Sequence, residues 1–297
     1  METFRRGDVV GRKSYNTDIY FKIKDFYQDD AGRECASLRG LYTRLYASAP
    51  LEDLVKIEPG KQMARLRDIT IKNNERVNRI FARRQREREL FLGRAVQGNK
   101  DIPPNNGKVT GFDLPGVVLH IDGDGDYLDL CLTTYKQLNI PAHGYNIPEE
   151  TQPEMVVDLL KTHAPDMLVI TGHDGFVAGT KNFADINNYY SSKYFVAAVQ
   201  AARRYEKSKD DLVIFAGACQ SHYEALLAAG ANFASSPQRV MIHAYDPVFV
   251  MEKIAYTSIY DPISLKDIIK GTITGFDGVG GIETRGKFRL GIPLSPY

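Results

Sequence analysis

The chain has 297 residues, 43% of them apolar, and 38 Lys and Arg against 37 Asp and Glu, which excludes a disordered, fibrous or membrane-embedded class. Three widely spaced cysteines, Cys35, Cys131 and Cys219, suggest neither a disulfide framework nor a metal cluster, and a reducing compartment fits them. No apolar run approaches the ~18 residues of a membrane span, and the first residues lack a signal-peptide core, so a soluble protein made in the cytoplasm is expected.

The charge is unevenly spread. Residues 1–100 hold 22 Lys and Arg against 14 Asp and Glu; the remainder holds 16 against 23. A basic front half points to nucleic acid, to an acidic partner, or to a segment that is itself a substrate.

Residues 1–60 read as a small β domain. Gly7-Asp-Val-Val-Gly11 opens it, Ile19 to Phe26 alternates, a turn at Asp29-Asp-Ala-Gly32 leads to Cys35–Tyr42, and Leu54–Ile57 closes the set. The Gly-Asp-x-Val opening resembles SH3-like barrels, which bind peptides or nucleic acids or serve as structure alone. Residues 61–110 change in character. Ten Lys and Arg between Arg65 and Arg94 share a helical apolar spacing with Ile69, Val77, Ile80, Phe81, Leu90 and Phe91. A solvated amphipathic helix, a nucleic-acid helix and an Arg-rich cleavage region all suit this pattern, although two Phe are thin aromatic interleaving for nucleic acid. Asn99–Gly107 then reads as a linker, where we place the domain boundary.

Residues 111–297 read as an α/β domain. Strands are expected at Gly116–Asp122, Ala142–Ile147, Met167–Gly172, Asp211–Gly217 and Arg239–Tyr245. Helices are expected at Tyr127–Leu138, Gln152–His163 (Pro153 suits a first turn), Lys193–Lys207 and Ser221–Gly230. The Gly-rich tail Gly271–Ile282 is expected as a loop or edge hairpin. In a parallel sheet with right-handed crossovers the strands end on one edge, where open α/β sheets hold ligands. His173 and Cys219 each follow a strand there.

That placement suggests a thiol nucleophile and its base. A helix N-terminus after Cys219 would lower its thiol pKa, and His173 would take and return the proton. The N–H groups of Gly175 and Cys219 are the expected oxyanion donors. No zinc spacing, phosphate loop or Gly-x-Ser-x-Gly elbow is present, and no cofactor is called for.

An apolar block ending in Thr-Gly-His173-Asp-Gly, then a second ending in Gly-Ala-Cys219-Gln-Ser-His, resembles the caspase, legumain, clostripain and gingipain clan of cysteine peptidases. That clan shows His-Gly, whereas Asp174 intervenes here. With the β domain and Arg-rich middle added, nearly all 297 residues are similar to the YabG family of sporulation-specific proteases. The resemblance implies a caspase/gingipain-like parallel-sheet sandwich behind an SH3-like barrel. It also implies a cysteine endopeptidase that cuts after Arg or Lys, trims spore-coat and germination proteins, and cuts itself. Its place would be the mother cell of a sporulating bacterium, with the spore coat as a second location. Arg recognition needs a planar carboxylate partner. Asp122-Gly-Asp-Gly-Asp126 supplies three, with Asp124 the first choice, Asp122 next, and Asp174 and Asp185 behind. A Ca²⁺ loop would need Glu where Thr133 stands, and a solvated turn is the plain alternative. The rival from another class is a non-catalytic nucleic-acid- or protein-binding module on an α/β scaffold; a thiol-dependent amidase is a third.

Overall fold

A computed structural model describes residues 3–98, 111–177 and 182–291. The chain divides into two compact units: one runs to Ile57 and resumes over Gly116–Lys287, the other comprises Glu58–Pro115 and the stretch from Phe288.

The first unit opens with five short strands: β1 (Val9–Arg12), β2 (Phe21–Gln28), β3 (Glu34–Gly40), β4 (Tyr46–Pro50) and β5 (Leu54–Lys56). They form an antiparallel sheet in the order β4-β3-β2-β1-β5. Alternation explains β2: Phe21 and Ile23 are buried with Val10, Ala36, Leu38, Ala49 and Leu54, while Lys22 and Lys24 face outwards. The β2–β3 turn carries Gly32 at φ +74°, as the Asp29–Gly32 spacing predicts.

Two elements of the second unit come next, helix α1 (Pro59–Gly98) and strand β6 (Phe112–Leu114). The first unit then resumes with β7 (Val118–Asp122), α2 (Gly125–Gln137), β8 (Ala142–Asn146), α3 (Gln152–His163), β9 (Met167–Thr171), α4 (Ser192–Tyr205), β10 (Val213–Ala216), α5 (Tyr223–Ala229) and β11 (Phe233–Ser235). It finishes with α6 (Asp246–Ala255), β12 (Pro262–Ile263), α7 (Leu265–Gly271), β13 (Val279–Gly281) and β14 (Thr284–Arg285).

The second sheet has the order β13-β11-β10-β9-β7-β8; every neighbouring pair is parallel except β11 with β13. All residues of β7, β9 and β10 are buried, which accounts for their continuous apolar runs. Leu119, Ile121, Leu168, Ile170 and Ile214 share one cluster with Val156 and Leu160 of α3, Phe195 and Val199 of α4, and Leu226 of α5. His120 and Asp122 alternate with these. Strand order reverses between β7 and β9, so the crevice at their carboxyl ends is the topological switch point.

The expected fifth strand is corrected. β11 lies at Phe233–Ser235, directly after the left-handed Gly230 that ends α5, and residues 239–245 form no strand of the parallel sheet. Part of their backbone bonds to the turn between β3 and β4. Arg44 N–H donates to the Ile242 carbonyl (3.2 Å), Ala244 N–H to the Tyr42 carbonyl (3.1 Å), and Thr43 bridges His243. The Gly-rich tail contributes β13, an antiparallel edge strand.

In the second unit, α1 is 40 residues of unbroken helix, about 60 Å at 1.5 Å per residue. β6 pairs antiparallel with β15 (Arg289–Gly291), and Arg88 of α1 donates to the Asp113 carboxylate (2.9 Å) and the Gly111 carbonyl (3.0 Å). The expected linker Asn99–Gly107 lies outside the described residues.

Candidate functional site

His173 leaves the end of β9 and Cys219 the end of the adjacent β10. The loop after β10 is tightly constrained. Gly217 sits at φ +105°, where an added Cβ would lie 2.4 Å from Ser235 Oγ, and Gln220 holds a left-handed φ of 57°. A non-glycine residue in that region stores strain, and here it directly follows the cysteine.

Asp174 joins the two loops. Its Oδ1 accepts the N–H groups of Gly175 (2.9 Å) and Ser191 (2.8 Å), and its Oδ2 accepts the hydroxyls of Ser192 and Ser221 (2.9 Å). Burial pushes the Asp174 carboxyl up, and these donors pull it back. One side chain thus ties the His173 loop, the start of α4 and the Cys219 loop.

Cys219 is only 2% exposed. Its Sγ accepts the Ile242 N–H (3.2 Å), and its own N–H has no partner among the described residues. Burial pushes the thiol up to about 12, against the opposing pull of the Ile242 N–H. The expected lowering by a helix terminus is therefore corrected: α5 begins four residues later, at Tyr223, and its N-cap is His222. Helix-terminus fields fade within a turn, whereas desolvation acts on the sulfur directly.

His173 is held at three points. Its N–H donates to Glu149 Oε1 (2.7 Å), its Nε2 meets Asp124 Oδ2 (2.9 Å), and its ring stands edge-on to Tyr46 with centroids 4.0 Å apart. Asp124 is the N-cap of α2; its Oδ1 accepts the N–H groups of Asp126 (2.9 Å) and Tyr127 (3.1 Å). Its Oδ2 also accepts Arg39 Nε (3.2 Å) and the Tyr46 hydroxyl (3.1 Å). Burial alone would raise the Asp124 carboxyl; the hydrogen bond from His173 and the Arg39 charge outweigh it and hold the group well below the carboxylate range.

Asp122 is fully buried. Its Oδ2 pairs with Arg44 (2.6 Å) and accepts the Thr171 hydroxyl (2.8 Å), its Oδ1 accepts the Asp124 N–H (2.9 Å), and His120 Nε2 stands 3.5 Å away. Burial is again overcome by the Arg44 charge, which keeps this carboxyl depressed.

The expected substrate carboxylates thus have other occupants in the structure. Asp122 serves Arg44, Asp124 serves His173, Arg39 and Tyr46, and Asp174 serves four local donors; Asp185 accepts Asn187 N–H (2.9 Å). Each acceptor oxygen is spoken for, so none of Asp122, Asp124 and Asp174 presents a bidentate face to an incoming guanidinium. Of the oxyanion pair, Gly175 spends its N–H on Asp174, while the Cys219 N–H has no partner among the described residues.

Arg39, Arg44, Tyr46, Tyr127 and Glu149 were not foreseen at this site. Arg39 and Tyr46 reach Asp124 from 85 and 78 positions upstream, and no local pattern announces such a partnership. Among the described residues no group of His, Cys, Asp and Glu could hold a metal ion, and no helix is long and apolar enough to cross a membrane.

The sequence matches the family described as YabG peptidase U57 across residues 5–293. It is 41% identical over 293 residues to the sporulation-specific protease YabG of Bacillus subtilis (strain 168), an alignment covering 98% of either chain. No solved structure matches.

Proposed function

We propose, on the premise that the chain belongs to the YabG peptidase U57 family of sporulation proteases, that it is a cysteine endopeptidase with Cys219 as nucleophile and His173 as general base. The observation that carries this reading is the Asp174 carboxylate, which stitches the His173 loop to the Cys219 loop at the carboxyl edge of adjacent parallel strands. With the Nε2 proton of His173 donated to Asp124, the Nδ1 lone pair is the basic site.

The chemistry follows in balanced steps. His173 takes the Cys219 proton as sulfur attacks the scissile carbonyl, forming a C–S bond and an oxyanion. The open Cys219 N–H is the first donor to that oxyanion; Gly175 contributes only after releasing Asp174. The imidazolium then protonates the leaving amine as the C–N bond breaks. Water, deprotonated by His173, hydrolyses the thioester and restores the thiol. A thiol held up to about 12 makes the base indispensable.

The strand order, with His after β9 and Cys after β10, supports a caspase/gingipain-like arrangement, and the five-stranded antiparallel sheet supports the SH3-like reading of residues 1–60. The finer assignments are cleavage after Arg or Lys, spore-coat and germination proteins as substrates, and self-cleavage within 61–94. Because α1 is continuous there, a cut requires local unwinding, since a peptidase cleft reads extended chain. With Asp122, Asp124 and Asp174 occupied, we assign recognition of the basic side chain to Glu149. Its carboxylate accepts the His173 backbone N–H, burial pushes its pKa up, and it forms no ion pair with Lys or Arg among the described residues.

Intact mass of wild type and Cys219→Ala after parallel incubation tests the reading. Fragments from wild type alone, ending in Arg or Lys within 61–94, are expected. Identical products from both proteins would remove Cys219 from the mechanism.

A further inference from the structure

We infer that Arg39 and Tyr46, both on the antiparallel sheet, are positioning residues for His173, acting through Asp124. The inference rests on the proposed catalytic reading of Cys219 and His173.

Three side chains converge on one oxygen. Asp124 Oδ2 receives His173 Nε2 (2.9 Å), Tyr46 OH (3.1 Å) and Arg39 Nε (3.2 Å), while Oδ1 is pinned by two backbone N–H groups at the start of α2. The carboxylate therefore cannot rotate without breaking several bonds, and the imidazole that donates to it inherits that fixed direction. Tyr46 acts twice, because its ring also stands edge-on against the imidazole at 4.0 Å. Arg39 is itself immobilised: its side chain is 5% exposed, its guanidinium lies 4.3 Å from the Tyr127 ring centroid, and its Nη1 reaches Asp126 (3.0 Å).

The anchoring runs back into the sheet. Tyr127 OH lies 2.6 Å from the Gly40 carbonyl and 2.7 Å from the Thr43 carbonyl and shares its one proton between them, so α2 grips the end of β3 and the turn after it. Arg39 is the last side chain before that grip. A buried guanidinium in a passive seam would be an expensive way to join two surfaces, since apolar residues of like volume often do so at least as well. Its value lies in keeping Asp124 ionised and aimed. An ionised Asp124 both fixes the tautomer of His173 and stabilises the imidazolium that forms when Cys219 gives up its proton.

The test is a double-mutant cycle on the full chain, with a fluorogenic peptide amide bearing Arg before the scissile bond. Tyr46→Phe keeps the ring and the fold; it is expected to lower kcat about tenfold with KM unchanged. Arg39→Met is expected to lower kcat about 10- to 100-fold, and Arg39→Lys to recover part of that loss. In an Asp124→Asn background, itself down roughly 10³- to 10⁴-fold, both substitutions should lose their effect to within about twofold. A role confined to joining the sheet to α2 would move melting temperature and leave these kcat ratios alone. Unchanged kcat in Tyr46→Phe and Arg39→Met, with Cys219→Ala inactive, overturns the positioning role while leaving the catalytic reading intact. Equal losses with and without Asp124 overturn it too. Retained activity in Cys219→Ala sinks the catalytic reading and this inference together.

Discussion

Replacing Arg44 with Met isolates the buried ion pair beneath the site. The Arg44 and Asp122 side chains are both fully buried, 2.6 Å apart, and Arg44 Nε and Nη1 have no hydrogen-bond partner among the described residues. The wild-type pair is therefore imperfectly compensated, and its net worth over an apolar replacement is small. Removing only the cation is another matter, because Asp122 stays behind as an unpaired charge at zero exposure; this costs about 3–5 kcal/mol. For a unit of this size each kcal/mol lowers Tm by about 2–4 °C, so a fall of roughly 6–20 °C is expected. The sign with pH follows from the depressed carboxyl. In wild type the folded Asp122 pKa lies below its unfolded value near 3.9, so the pair's stability is present above that pH and lost below it. Without Arg44 desolvation dominates and the folded pKa rises above the unfolded one, so the variant loses stability as pH rises. The deficit between wild type and Arg44→Met should be larger at pH 7 than at pH 5. Adding Asp122→Asn should return about half of the loss by removing the orphaned charge. Urea midpoints and thermal melts of the three proteins at both pH values measure all of this. A deficit under about 1 kcal/mol, or a double variant worse than the single, would show that Asp122 is not sustained by Arg44.

Other expectations concern the site itself. Gly217→Ala forces a Cβ onto the buried Ser235 Oγ, which already donates to the Ala218 carbonyl (2.7 Å), at φ +105°; a loss of about 2–4 kcal/mol and of activity is expected by urea unfolding and peptide hydrolysis, and wild-type behaviour refutes it. Cys219 should alkylate slowly with iodoacetamide at pH 7 and faster with each pH increment to 9, followed by peptide mapping; a plateau below pH 8 would mean the thiol is already ionised by His173. Glu149→Gln should cut kcat/KM at least about tenfold for peptides with Arg or Lys before the scissile bond and spare uncharged ones, and an equal loss for both kinds would assign Glu149 to holding the His173 backbone alone.

Strands β7, β9 and β10, the helix Gln152–His163 and the positions of His173 and Cys219 after neighbouring strands were readable, the strands because burial on both faces writes itself as short apolar runs closed by Gly. The roles of the Asp122–Asp126 loop were not. Carboxylates declare their presence in a sequence but not their partners, and here Arg39 and Tyr46 arrive from another sheet and Arg44 from the turn between β3 and β4. Residues 239–245 show the same limit for backbone: an alternating apolar run announces pairing without naming the strand it pairs with. The thiol was misjudged for a geometric reason, since three residues separate Cys219 from the first turn of α5, a distance that composition does not encode.

Covalent continuity between the antiparallel sheet and the α/β part of the first unit passes through Glu58–Pro115, yet several bonds that fasten those parts lie outside that stretch. Arg44 on Asp122, Tyr127 on Gly40 and Thr43, and the ladder between residues 42–44 and 242–244 all bypass it. A nick there changes connectivity and leaves partnership untouched: two bands under denaturing conditions, one particle on a sizing column. If the proposed self-cleavage falls there, the product is a non-covalent pair of fragments held by these bonds, and the cut leaves the proposed catalytic residues in place.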